Sequence, residues 1–251
     1  MQFLGTLALF PPLPAMSVIR AGVAVVVLAF VLAGCSIPTV GPGYQPGFGN
    51  GGQAVERQVA EQFIQVVETV EPVAERECRR RTRGENCDFL IVVDDRPDQP
   101  PNAHQFVTDS GQPVIAFTYS LLETVRNADE LAFVMGHEAA HHIAGHLDRQ
   151  AASALEGATI LGGLVSLRGG NAQQIEEAQQ IGALIGSRRY SKDFELEADA
   201  LGTVISLKAG FDPVRGAAFF DRLPDPGNQF LGTHPPNADR LATVRKTAAA
   251  L

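Results

Sequence analysis

Basic residues are scarce in this chain: 20 Lys and Arg stand against 28 Asp and Glu, a net charge of −8 over 251 residues. That balance lacks the positive footprint of a nucleic-acid binder, so that class of function is excluded. Cysteine is scarcer still. Three residues are too few for a disulfide-built scaffold and cannot make a four-cysteine zinc site. Long hydrophobic runs are missing as well. Ala21–Ala33 and Ala158–Leu167 are both well short of the roughly 20 apolar residues that span a bilayer as a helix. No internal repeat is present. Against these absences, 45% of the residues are hydrophobic, which excludes bulk disorder and leaves enough material for one sizeable core.

The N-terminus carries a targeting pattern. Arg20 precedes the apolar run Ala21–Ala33, which suits the central region of a signal peptide. The run ends in Leu32-Ala33-Gly34-Cys35, which resembles a bacterial lipobox, with small residues where a signal peptidase must fit. That resemblance implies cleavage after residue 34, lipidation of Cys35 and a place on the periplasmic side of a bacterial envelope. Ser36, rather than an aspartate, favours the outer membrane. Met1–Ala15 has no basic residue and three prolines, so Met16 is the expected initiator. Residues 35–52 are rich in Gly and Pro and uncharged, a tether reaching roughly 20–25 Å if flexible. A single domain is expected over residues 53–251. Within it Cys78 and Cys87 are an even pair in an oxidising compartment, and a disulfide between them is expected.

Residues 55–78 carry apolar side chains at helical spacing, at Val59, Phe63, Val66, Val67 and Val70. Asp88–Val93 reads as a strand. Gln105–Thr108 and Pro113–Thr118 flank Asp109-Ser110-Gly111 and read as a hairpin. Asp129 is the expected N-cap of a helix running past His137, and the remainder is helical in pattern. Gly182 and Gly186 would let another helix approach closely, so Ala158–Leu167 is expected in a helical hairpin near the active site, beside the plainer reading of an ordinary core helix. Few strands followed by many helices predict an α+β fold, mostly helical with a small sheet.

Four of the six histidines fall between His137 and His146. His137 and His141 are four apart, so on a helix both imidazoles project from one face and can chelate one metal ion. Glu138 between them can then act as general base on a water. Zinc in a catalytic site takes three protein ligands, and no cysteine is at hand. His146 does not complete the long three-histidine motif of the metzincins, because the positions seven and ten after His137 hold Ala144 and Leu147. The better third ligand lies in Ser191–Asp199, where Glu195 and Asp199 share a helix face. Glu195 can ligate zinc while Asp199 accepts a hydrogen bond from a ligand imidazole. Glu197 is the rival ligand, on a different face from Asp199.

These blocks, with Gly210-Phe211-Asp212-Pro213, Thr233-His234-Pro235-Pro236 and Arg240, resemble the zinc peptidase family that contains the membrane protease HtpX and the CAAX prenyl endopeptidases. Among its members the chain is most similar to the soluble periplasmic lipoprotein and barrel-assembly quality-control proteins. The resemblance implies a zincin-like metallopeptidase domain over residues 53–251, one Zn²⁺ per chain and Glu195 as the third ligand. It gives His234 a place near the metal, as oxyanion donor or removable cap, beside the plainer reading of a surface histidine. Arg240 binds substrate or forms a structural ion pair, and His104, His142 and His146 are read as structural.

The expected function is that of a membrane-tethered, zinc-dependent endopeptidase. Its expected substrates are unfolded or misassembled envelope proteins, and its expected partners include outer-membrane assembly machinery. Pro113–Thr118 is the strand expected to pair with an extended substrate. The alternative from another class is a chaperone or assembly factor that holds clients in the same groove, with little or gated proteolysis. A zinc hydrolase acting on other bonds is a third.

Overall fold

A computed structural model describes residues 50–227, 232 and 234–251, with side chains from Glu56 onward. The signal segment 1–34, Cys35 and tether residues 35–49 lie outside the described residues. The helix expected over 55–78 is α1, Asn50–Arg81, which begins inside the stretch read as tether. Val66, Val70, Val73 and Ala74 recur at helical spacing and are buried. Arg79, Arg80 and Arg81 occupy its last turn, where positive charge favours the helix dipole. A disulfide joins Cys78 to Cys87, with Cα atoms 5.7 Å apart.

The chain then makes three strands: β1 (Leu90–Asp94), β2 (Ala103–Val107) and β3 (Pro113–Thr118). Their order is β1-β3-β2, with β1 parallel and β2 antiparallel to β3. Every residue of β3 is buried, as its unbroken apolar run demands of a strand covered on both faces. This corrects the expectation that β3 receives substrate. A central strand has both edges filled, so among the described strands only β1 and β2 keep an open edge.

Helices follow: α2 (Tyr119–Thr124), α3 (Ala128–Ile143), α4 (His146–Leu167), α5 (Ala172–Arg189), α6 (Ser191–Lys208), α7 (Pro213–Ala217) and α8 (Asn237–Ala248), with a short 3₁₀ turn at Ala218–Arg222. The fold is α+β and mostly helical. Asn127, not Asp129, caps α3: its side chain accepts the Glu130 N–H. The Asp129 carboxylate is instead occupied by the Asp212 N–H and Arg215. Leu131, Phe133 and Met135 of α3 are almost wholly buried and anchor the core with Ile115 and Phe117 of β3 and Ile205 of α6. Each such side chain stabilises by about 1.5–3 kcal/mol.

The α3–α6 contact decides the site. A Cβ on Gly136 would stand 3.0 Å from the Gly202 carbonyl oxygen, and one on Gly202 would stand 2.9 Å from the His137 backbone nitrogen. Only hydrogens fit between these backbones, and the approach brings the His137 face of α3 against the Glu195–Asp199 face of α6. The expected hairpin is α4–α5, closed by Gly182 against Gly157 and Gly186 against Ser153. Its base, at His146, Leu147 and Gln150, lines the cavity described next. No described helix is long and apolar enough to cross a membrane.

Candidate metal centre

His137 and His141 lie one turn apart on α3, and their Nε2 atoms stand 3.0 Å from each other. Glu195, from the first half of α6, brings Oε2 to 3.6 Å from His137 Nε2 and Oε1 to 3.4 Å from His141 Nε2. Among the described residues these three form a cluster whose ligand atoms all lie within 4.8 Å of one another. Glu197 is elsewhere, paired with Arg149 at 2.8 Å and with His146 at 3.2 Å.

The chemistry of this donor set fits zinc. Asp199, with no exposed surface, stands 2.9 Å from His137 Nδ1 and accepts its N–H, which leaves the Nε2 lone pair aimed at His141 and Glu195. Burial pushes the His141 imidazole down to about 3, so that ring is neutral at ordinary pH. Burial works to raise the Glu195 carboxyl, but the His234 hydrogen bond and the neighbouring His137 and Arg240 outweigh it and hold it ionised. For His137, burial opposes the charged form, yet the Asp199 hydrogen bond wins and raises its pKa. Two imidazoles and a carboxylate converging this closely repel unless a cation lies between them, and two nitrogens with one oxygen suit Zn²⁺.

Arg240, from α8, is buried and grips Asp199 with both ends of its guanidinium, at 2.8 Å and 2.6 Å. Its guanidinium carbon sits 3.7 Å over the Phe220 ring. The structure therefore pairs Arg240 with Asp199, and the same guanidinium lies 3.6 Å from Glu195 Oε2 at the cavity described next. Burial alone would raise the Asp199 pKa, but the Arg240 and His137 hydrogen bonds lower it. His234 is exposed, with Nδ1 3.3 Å from Glu195 Oε2.

Glu138 lines a cavity of about 500 Å³ beside this cluster, together with Ala103, Gln105, Phe133, His234 and Asn237. Burial pushes its carboxyl up to about 6 against the neighbouring His137 charge. The backbone N–H of Gln105 hydrogen-bonds to it. Nothing in the sequence pointed to Gln105, because a main-chain donor leaves no trace in residue type. The β2–β3 pairing explains its availability. The Thr118 N–H donates to the Asn102 carbonyl and the Thr108 N–H to the Gln112 carbonyl, so the alternate residues Ala103 and Gln105 turn their main-chain groups to the free edge. The Gln105 carboxamide is itself buried without a partner among the described residues.

The remaining histidines separate. His142 Nε2 meets the Asn86 carbonyl at 2.8 Å, and His104 stacks on Phe106. His146 is not one of the three clustered residues but stands against one of them, its Nδ1 2.9 Å from His141 Nδ1.

Comparison with known proteins agrees with this geometry. The chain is 32% identical over 150 residues to the putative beta-barrel assembly-enhancing protease of Vibrio cholerae serotype O1, covering 53% of this chain and 30% of that protein. It is 31% identical over 137 residues to the beta-barrel assembly-enhancing protease of Escherichia coli K12, covering 49% and 28%. It is 33% identical over 169 residues to the mitochondrial metalloendopeptidase OMA1 of Saccharomyces cerevisiae, covering 62% and 46%. The chain thus spans less than half the length of each of these relatives. Residues 61–248, most of the chain, match Peptidase family M48, and the chain belongs to that family of metallopeptidases.

Proposed function

We propose that this metallopeptidase is a zinc-dependent endopeptidase, with one Zn²⁺ held by His137, His141 and Glu195 and with Glu138 as general base. The observation that carries the reading is the placing of Glu138, half in the cavity wall and next to the three convergent ligands. Zinc bound there would supply Lewis acidity to a water and to the scissile carbonyl. Glu138, poised near 6 by burial, takes the proton of the attacking water and delivers it to the leaving amine. The Gln105 N–H orients that carboxylate. Asp199, backed by Arg240, holds His137 in the tautomer that leaves Nε2 free.

An extended substrate adds to the open edge of β2 at Ala103, by main-chain hydrogen bonds that read little of the side-chain sequence. That loose selectivity suits unfolded or misassembled proteins. The names of the bacterial relatives favour outer-membrane proteins or their assembly machinery as substrates and partners. The lipobox pattern at Cys35, with Ser36, favours lipid anchoring on the periplasmic side of an outer membrane.

The His234–Glu195 contact favours a gated variant of the same reading, with His234 capping the site until substrate displaces it. His234→Ala would then raise basal cleavage. A client-binding assembly factor without proteolysis predicts no cleavage by either form. The direct test is casein cleavage by the zinc-loaded full chain beside Glu138→Gln. The variant is expected to keep its zinc and to lose activity by roughly 10³. Equal turnover by the two proteins would remove Glu138 from the mechanism.

A further inference from the structure

His146 is 4% exposed beside the proposed metal ligands, and the hydrolysis outlined above gives it no task. On an unbroken helix a residue five positions past His141 would sit about 140° around the axis, on another face. The chain is broken at Gly145, whose φ of 64° and ψ of 35° are left-handed and free of strain only for glycine. That turn ends α3, starts α4 and returns the His146 ring to the ring of His141.

The contacts of His146 form a chain. Its Nδ1 stands 2.9 Å from His141 Nδ1, and its Nε2 stands 3.2 Å from Glu197 Oε2. Arg149 Nη1 lies 2.8 Å from the same Glu197 oxygen, and its guanidinium lies 4.3 Å from the Phe194 ring centre. Phe194 stacks on His146 at 4.6 Å and 13°, which fixes the plane of the imidazole.

Hydrogen-bond arithmetic then settles the protons. A carboxylate paired with Arg149 only accepts, so His146 Nε2 must donate to Glu197. In a neutral imidazole the other nitrogen is bare, and His146 Nδ1 can only accept. The proton between the two rings therefore belongs to His141 Nδ1. That leaves the lone pair of His141 on Nε2, the atom facing His137 Nε2 and Glu195.

We propose that His146, oriented by Glu197, is a positioning residue that fixes His141 in its Nδ1–H tautomer and so presents Nε2 to zinc. The proposal rests on the zinc reading above and completes it. His137 is held by a carboxylate directly, and His141 is held by a carboxylate acting through a second imidazole.

Two measurements on the full chain test it. Ring ¹⁵N spectra of the histidine-labelled, metal-free protein at about pH 8, above the ordinary imidazole range, report which nitrogen carries each proton. The expected result is His146 protonated at Nε2 and His141 at Nδ1. Either ring in the opposite tautomer overturns the proposal, whether or not the protein binds zinc. Competition with a chromophoric chelator then compares zinc affinity in the unmutated chain, His146→Leu and His146→Asn. Leucine should weaken zinc binding about 10–100-fold. Asparagine, whose Oδ1 falls near the position of Nδ1 and accepts as it does, should recover most of the loss. Unmutated affinity in His146→Leu, or no recovery in His146→Asn, contradicts the relay. Failure of the unmutated chain to bind zinc refutes the zinc reading instead, and the ring spectra alone then decide the tautomer.

Discussion

At the scale of single residues, the centre works because each polar group has a partner that fixes its proton. Asp199 is buried completely, and an unpaired carboxylate there would be costly. Arg240 supplies the compensating charge, and Phe220 shields the pair. Arg240→Met should therefore leave Asp199 uncompensated, free the His137 ring and weaken zinc binding about 10–100-fold, as measured by chelator competition. Unchanged affinity would mean that Asp199 holds His137 unaided. The clustering of His137, His141 and Glu195 was legible in the sequence because it comes from spacings on two helices, four residues apart in each. The partner of Arg240 was not. The resemblance marked this arginine and left a structural ion pair as one of its two readings, but only the packing of α8 on α6 shows that Asp199, 41 positions earlier, is the other half.

At the scale of elements, the site is a contact between two helices. Gly136 and Gly202 set how near α3 and α6 come, and hence how near Glu195 comes to the two imidazoles. Gly202→Ala would drive a methyl group into the His137 backbone. It should cost about 1–3 kcal/mol in stability and reduce zinc affinity together with it. Denaturant unfolding and a zinc titration on the same sample check both. A loss of stability with full affinity would show that the helices separate away from the site. The glycines of the α4–α5 hairpin were readable as points of close approach, but the strand order was not. Residue patterns mark Pro113–Thr118 as a strand and cannot say that β1 also pairs with it. The long-range β1–β3 pairing moved the open edge to β2. The α3 cap slipped for a related reason. Asn127 and Asp129 are both good caps, and Asp212 and Arg215, distant in sequence, engage the second.

At the scale of the whole molecule, α1 is tied to the catalytic helices by charge as well as by apolar packing. Glu77 of α1 is buried, and Arg80, Arg81 and Lys208 of α6 all reach its carboxylate. Burial alone would raise its pKa, but these hydrogen bonds outweigh it and hold it at about 2, below the ordinary 4.5. A depressed carboxyl pKa stabilises the folded state at pH above the unfolded value. That contribution fades as pH falls from about 4.5 to about 2. Glu77→Gln should therefore be less stable at neutral pH and show a flatter decline in Tm across that window. A parallel decline in both proteins would place the acid sensitivity elsewhere. The disulfide at the end of α1 lies beside this cluster and fixes the approach to β1.

On the proposed reading, His137, His141 and Glu195 form a zinc centre that hydrolyses peptide bonds. Its most direct test is casein cleavage by the full chain after chelation and stepwise return of zinc. Cleavage should vanish with the metal and return in full at one Zn²⁺ per chain, and Glu195→Ala should stay inactive at that stoichiometry. Cleavage that survives complete removal of metal would contradict the account.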